Sequence, residues 1–391
     1  MKRSTDRILT THVGSLPRPD RLLDLLEAEE QGLEFDRETL RDDAAATVKD
    51  IVARQVASGI DVVSDGEMSK IGYTFYVKHR LAGIGRPDGP ADPGAGARVG
   101  RDLKEHLDFH NRTSAQVGQW IAKFERPFCI GPVAYADHGP LENDLANLAA
   151  AVDAARPVEA FMNAASPGVL TKFVPNAYYQ DEDAYVAALA DALQPEYEAI
   201  VHAGFILQID CPDLGSARHN QYQDLTDDEF LAIAERNVEA VNHATRNIPP
   251  ELMRLHICWG NYEGPHTHDI PLATVLPVCM KARPAGFLFE GANPRHEHEW
   301  EDLAAAKIPD DKVLIPGVVD STSNFVEHPR LIAQRLCRYA DIVGRERVIA
   351  GTDCGFGTFA SREPQVASSV VWSKFEAMVE GARIATEQLW R

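Results

Sequence analysis

Eight short apolar runs recur along the chain, each ending in a polar or glycine-containing turn. They read RILTTHVGS near residue 10, GIDVVSDGE near 63, EAFMNAASPG near 163 and GFILQIDCP near 208. The series continues with MRLHICWG near 256, GFLFEGANP near 289, KVLIPGVVDS near 316 and RVIAGTDCG near 351. Between them lie helix-like stretches such as DDAAATVKDIVARQVASG, DEDAYVAALADALQPEYEAIVHAG and HPRLIAQRLCRYADIVG. The second has the apolar spacing of an amphipathic helix, then Gly204 where a C-terminal stop is expected. Strands that alternate with helices pair in parallel. With right-handed crossovers, eight such units close most simply into an α/β fold of the (β/α)8 TIM-barrel type. A doubly wound open sheet is the competing arrangement, and the eight-fold count favours the barrel.

Residues 1–391 are expected to form this one barrel, with residues 81–155 as an insertion between the second and third strands. Within the insertion, RPFCIGPVAY from Arg126 to Tyr135 is a ninth apolar run. The stretch from Gly85 to Asp102, rich in Gly, Pro and Ala, reads as a flexible loop.

A formal net charge of -20 disfavours nucleic acid and anionic membranes, whose phosphates are bound by clustered Lys and Arg. The richest basic stretch, Arg335 to Arg347, is interrupted by Asp341 and Glu346. No segment approaches the roughly 20 apolar residues that span a bilayer. The basic start MKRSTDR is not followed by an apolar run suited to a secretory signal, so the cytoplasm is the expected location. The six cysteines are spread widely and would stay thiols there.

Barrel enzymes carry their functional groups at the C-terminal ends of strands. Here those ends hold Ser15, Glu67, Asp210, His256, Cys258, Glu290, Asp320 and Cys354. Ser15 or Asp320 alone reads best as a turn former. His256 and Cys258 are different, because a His-x-Cys pair on a strand points both side chains to one face. Zinc accepts imidazole, thiolate and carboxylate in a tetrahedral shell, and Glu290 and Cys354 stand at matching strand ends to complete it. Alone, His-x-Cys is more often two buried core residues. The four together point to zinc.

At these residues the chain resembles the catalytic barrel of the cobalamin-independent methionine synthase family and its short relatives, including the epoxyalkane:coenzyme M transferases. The motifs TTHVGSLPRP, GIDVVSDGE, LQIDCPDL, LHICWG, FLFEGANP, PGVVDS and VIAGTDCG follow in the family's order and cover essentially the whole chain. The resemblance implies His256, Cys258, Glu290 and Cys354 as zinc ligands, with Glu290 the one that yields to an incoming sulfur. It implies Glu67 and Asp210 as partners of an amino group on the thiol, and Val13, Gly14 and Ser15 as partners of its carboxylate. For either acid alone, capping a following helix is an equal reading.

Three departures set the chain apart from methionine synthase. Asp210-Cys211-Pro212 replaces the family's Asp-Glu-Pro. Ser321 and Thr322 stand where that enzyme has a histidine, and Phe173 is only near the place of its folate-stacking tryptophan. The chain instead carries NYEGPHTHDIP and ANPRHEHEWED after the fifth and sixth strands. Their His266, His268 and His296 are candidates for proton transfer, for instance to an alkoxide from an opened epoxide. Arg295 is a candidate partner for a carboxylate or sulfonate. The bland reading of these residues, a hydrated loop, carries about equal weight.

The reading is therefore a zinc-dependent S-alkyltransferase, a methyltransferase or an epoxide–thiol transferase. Its expected partners are a small homocysteine- or coenzyme M-like thiol and an alkyl donor, in a chain free to form homo-oligomers. The competing readings are a metal-independent lyase like uroporphyrinogen decarboxylase and a non-catalytic thiol-binding or corrinoid-partner protein.

Overall fold

A computed structural model of the chain describes residues 1–86, 99–113 and 126–391. Ten strands occur among them: β1 Leu9–Thr10, β2 Val62–Val63, β3 Leu81–Gly85, β4 Phe128–Tyr135 and β5 Glu159–Ala165. The rest are β6 Ile206–Asp210, β7 Met253–His256, β8 Gly286–Phe289, β9 Val313–Val319 and β10 Ile349–Thr352. Eight of them form one parallel sheet in the order β1-β10-β9-β8-β7-β6-β5-β2, with helices between successive strands. This is the (β/α)8 barrel expected from the apolar runs. Strands β6 to β10 are buried at every position, as parallel strands covered on both faces must be. No helix among the described residues is long and apolar enough to cross a membrane.

Alternation along the strands separates two surfaces. Leu207, Ile209 and Leu255 join the large core shared with the helices. The opposite phase faces the barrel axis and is unusually polar: Asn163, Gln208, Asp210, Arg254 and His256 are all buried there. Arg254 is 1% exposed. Its guanidinium donates to Gln208 Oε1 at 2.8 Å, Thr11 Oγ1 at 3.0 Å and the His12 carbonyl at 2.9 Å, and lies 3.5 Å from the centre of the Phe161 ring. Gly286, its neighbour on β8, makes room: a Cβ there would sit 2.6 Å from that of Arg254.

The sheet does not close by a strand ladder between β1 and β2. Side chains, with two main-chain bonds, bridge that seam. Asp61 accepts from the Thr10 amide at 2.9 Å and is gripped by both Arg7 amino groups at 2.7 and 2.6 Å. Thr11 Oγ1 donates to the Val62 carbonyl at 2.9 Å, and the Leu16 amide to Gly66 at 3.0 Å.

Between β2 and β5 the chain leaves the barrel pattern and forms an antiparallel hairpin of β3 and β4. The ninth apolar run is its second strand; the first, LAGIG, is too short and glycine-rich to announce itself. Arg80 ties this segment down, 2.5 Å from Asp144 and 3.1 Å from Glu196, which also accepts from Tyr76 and Tyr135. Residues 87–98 of the anticipated flexible loop lie outside the described residues.

The buried guanidinium sets a testable expectation. Arg254→Ala takes the donor away from Gln208 Oε1, Thr11 Oγ1 and the His12 carbonyl inside the barrel and should lower stability by about 3–5 kcal/mol. Arg254→Lys should recover only part, because an ammonium cannot span the same three partners. Urea unfolding followed by circular dichroism reads both.

Candidate metal centre

The axis-facing phase of β7 continues past the strand's end, so Arg254, His256 and Cys258 point the same way. A ring nitrogen of His256, Cys258 Sγ and Cys354 Sγ all lie within 4.8 Å of one another, and all three residues are buried. The two sulfurs are 3.8 Å apart. His256 Nδ1 is 3.0 Å from Asp210 Oδ1, which fixes the ring's tautomer, while its Nε2 is buried with no hydrogen-bond partner. Two thiols and an orphaned imidazole nitrogen form a donor set that suits zinc. The contact with Cys354, then burial, pushes the Cys258 thiol well above its usual range, because two adjacent sulfurs resist joint ionisation. A bound dication removes that obstacle.

Cys354 is out of phase for a simple strand: alternation from Ile349 would point Gly351 and Asp353 together. The register against β9 slips between Gly351 and Thr352, and the turn beyond carries Cys354 to the site. Asp353 secures that turn to the one after β8. Its carboxylate accepts from the amides of Gly291 and Ala292 at 2.9 Å and Asn293 at 2.8 Å. Burial, with the charges of Glu290 and Asp320, raises this carboxyl to about 7. Asn261 adds a second tie, donating to the Gly355 carbonyl and to Thr358 Oγ1, both at 2.7 Å.

Glu290 stands beside the cluster but outside the group whose ligand atoms lie within 4.8 Å. Its oxygens accept from the Trp259 amide and from Asn293 Nδ2, each at 2.8 Å. Its charge nevertheless acts on both His256 and Cys258.

Glu67 is buried at the end of β2 with φ of 58°, a backbone conformation that costs a residue with a side chain. Its Oε2 is 3.6 Å from Arg18 and has no hydrogen-bond partner. Burial raises this carboxyl to about 7 against the pull of Lys70 and Arg18. Asp210 is fully engaged by His256, by Gln208 at 2.8 Å and by Asn163 at 2.9 Å. Asn163 Nδ2 also donates to the Val13 carbonyl, leaving its Oδ1 without a partner. Gly14, at φ 135°, is needed for this approach, since a Cβ there would fall 2.1 Å from that oxygen. Ser15 is buried next in line.

The loop histidines divide. His266 and His296 converge on buried Asp269: His266 Nδ1 is 2.8 Å and His296 Nε2 3.0 Å from its Oδ2, while His219 Nδ1 lies 2.9 Å from its Oδ1. The other nitrogens are also engaged, His266 by the Tyr262 carbonyl and His296 by Glu299. Burial opposes charge in this cluster, yet the three imidazoles hold the Asp269 carboxyl well below its usual range, and Asp269 and Glu299 raise His296 to about 10. Proton transfer by either ring requires one of these bonds to open first. His268 stands apart, partly exposed and 2.8 Å from Glu105. Arg295 is exposed and donates to the Thr267 carbonyl at 3.3 Å.

Of the departing positions, Cys211 is fully buried and Ser321 donates to Asn261 at 2.9 Å. Phe173 meets Tyr73 at 5.6 Å and Phe359 at 6.5 Å between ring centres. Sequence reading missed Asn163, Gln208, His219, Arg254 and Asp353. For Asn163 and Gln208 the available signal was a polar residue at an axis-facing step of an apolar run, as in EAFMNAA and FILQID.

No protein-family model matches the chain. It is similar to proteins named methionine synthase from Saccharolobus solfataricus, 24% identical over 98% of this chain and 96% of that protein, and from Thermococcus kodakarensis, 24% identical over 98% and 94%. Two solved structures share the fold. A B12-independent methionine synthase from a Shewanella species, in complex with selenomethionine, has a TM-score of 0.70 and 19% identity, covering 98% of this chain and 99% of that one. A putative vitamin-B12 independent methionine synthase from Listeria monocytogenes has a TM-score of 0.63 and 20% identity, covering 97% and 98%. Along nearly its whole length, the chain is thus a homologue of proteins named methionine synthase and resembles the cobalamin-independent type in its short, single-barrel form.

Proposed function

We propose that this chain transfers a methyl group to the sulfur of a small amino-acid thiol such as homocysteine, with zinc held by His256, Cys258 and Cys354 and with Glu290 as the fourth ligand. The observation that carries the reading is the pair of sulfurs 3.8 Å apart beside the unpartnered Nε2 of His256. Bound there, zinc would supply a Lewis acid that lets an incoming thiol ionise near neutral pH. Asp210 orients the imidazole, and the Trp259 and Asn293 donors hold Glu290 near the sulfurs.

The protein's own groups favour a thiol that carries an ammonium. Glu67 Oε2 and Asn163 Oδ1 are buried acceptors without donors, close to Asp210 on the floor of the site at the C-terminal end of the barrel. Val13, Gly14 and Ser15 border the same floor and would meet the carboxylate. The names of the related proteins and the selenomethionine bound to the Shewanella enzyme support this substrate class.

Metal analysis should find about one zinc per chain, as expected for one cluster of thiolate and imidazole ligands. Cys258→Ser and Cys354→Ser should each lose most of it, whereas Cys129→Ser, Cys279→Ser and Cys337→Ser should keep it. Full zinc in either of the first two variants removes the site. With zinc present, methylated homocysteine should accumulate beyond one equivalent per chain when a competent donor is supplied; a stop at one equivalent indicates binding without turnover.

The acid in the floor predicts a pH dependence. Below its pKa of about 7 the Glu67 carboxyl is protonated and must ionise before it can pair with an ammonium. Affinity for L-methionine, which has no thiol to titrate, should therefore rise with pH through 7 and fall by up to about tenfold per unit below it. Glu67→Gln should weaken binding and flatten the profile in calorimetric titrations. A profile unchanged by the substitution would remove Glu67 from the amino-group site.

A further inference from the structure

The stretch TTHVGSLPRP holds one more buried group, Arg18, set between Pro17 and Pro19. Each proline fixes its own φ and keeps the residue before it extended, so Leu16 and Arg18 both have little backbone freedom. From this stiff segment the guanidinium reaches three turns. Its Nη1 donates to the carbonyls of Gly357 and, at 3.1 Å, Leu16, and its Nη2 to the Lys70 carbonyl at 3.0 Å. The same Nη2 lies 3.6 Å from Glu67 Oε2. Lys70 belongs to the turn of Glu67, because its amide donates to the Glu67 carbonyl at 3.0 Å. Gly357 stands in the turn that follows β10 and carries Cys354.

Main-chain bonds tie these turns only in pairs: Leu16 to Gly66 at 3.0 Å, Phe356 to Ser15 at 2.9 Å and Ala360 to Ile71 at 2.9 Å. Arg18 joins all three and, unlike those bonds, also meets a carboxylate. A buried guanidinium is costly unless its donors are met, so this one resists any drift of the turns that supply its acceptors. At 3.6 Å it steers the Glu67 oxygen without the short contact of a hydrogen bond, which leaves that oxygen open to an ammonium. We propose that Arg18 is a positioning residue that fixes Glu67 relative to the turn of Cys354, and so sets the spacing between amino group and sulfur that a ligand must match. This role rests on the amino-acid site proposed above, with the ammonium on Glu67 and the sulfur beside the cluster. Where both ends are fixed, a ligand one methylene too short loses one of its two anchors.

Two thioethers read the spacing: L-methionine and S-methyl-L-cysteine, which is shorter by one methylene. Their affinities for the zinc-loaded full-length chain are compared by calorimetric titration at one pH, above the Glu67 carboxyl's pKa of about 7. The parent protein should favour L-methionine by about tenfold or more, the scale of one methylene in a rigid pocket. Arg18→Lys keeps a cation but cannot span the same acceptors, and Arg18→Gln keeps a donor without the charge. Both should cut the preference to about threefold or less as the turns drift. A weaker fold or a poorly ionised Glu67 lowers both affinities alike, since the two ligands carry the same ammonium, and cancels in the ratio. Arg7→Lys, which loosens the clasp on Asp61 at the opposite end of the β1–β2 seam, should leave the ratio unchanged. A parent without the preference, Arg18 variants that keep it, or an equal loss in Arg7→Lys overturns the role of Arg18 and leaves the amino-acid site standing. A parent that binds neither compound removes that site, and this role with it.

Discussion

A single buried chain of polar contacts runs up the barrel axis from Arg254 through Gln208 and Asp210 to His256. Placing a guanidinium in a barrel interior is costly unless every donor finds an acceptor. Here the acceptors come from β1 and β6, so satisfying Arg254 also sets the height of those strands relative to β7. Gln208 passes the order upwards, since its amide oxygen takes the Arg254 donor and its amide nitrogen donates to Asp210. The imidazole at the top is aimed by everything beneath it. The aim of His256 is therefore set from within the barrel, whereas Cys354 is placed by the turns that Asp353 and Asn261 tie together.

Much of this was legible in the residues. The eight apolar runs match the eight parallel strands, and the period-two spacing of His256 and Cys258 correctly implies a shared face. The run MRLHICWG contains Arg254, but nothing in the sequence separates an arginine at a strand's start from one buried on the axis. That distinction needs the register, which sets Gly286 beside it and Gln208 within reach. Cys354 shows the opposite case. Its motif suggests a strand end, yet strict alternation would turn it away, and only the register slip after Gly351 explains its arrival. Asn163 and Asp353 stayed hidden because their partners, backbone and side chain alike, are distant in sequence.

The loop histidines show how far composition can carry. Two histidine-rich segments are visible in the sequence, Asp269 among them, but its role as their common partner is not. Asp269 gathers His266, His296 and His219 from three separate segments, and Trp259 lies against His296 at 4.6 Å while its amide holds Glu290. What looks like a row of hydrated side chains is thus, in part, a packed ionic support behind the sulfur cluster. The strongly negative chain has concentrated several of its charges where each has a named opposite.

The seam between β1 and β2 has a consequence for motion. Elsewhere around the barrel, neighbouring strands are laced by main-chain ladders, and widening the wall means breaking several such bonds together. At the seam the lacing is mostly threonine, serine and one arginine-clasped aspartate, side chains that can swing without unravelling a strand. Val13 to Ser15 stand on one bank and Glu67 on the other. The weakest main-chain lacing of the circumference therefore lies beside one half of the sulfur cluster, since Cys354 follows β10, the neighbour of β1, and the Phe356 amide just beyond it donates to the Ser15 carbonyl at 2.9 Å.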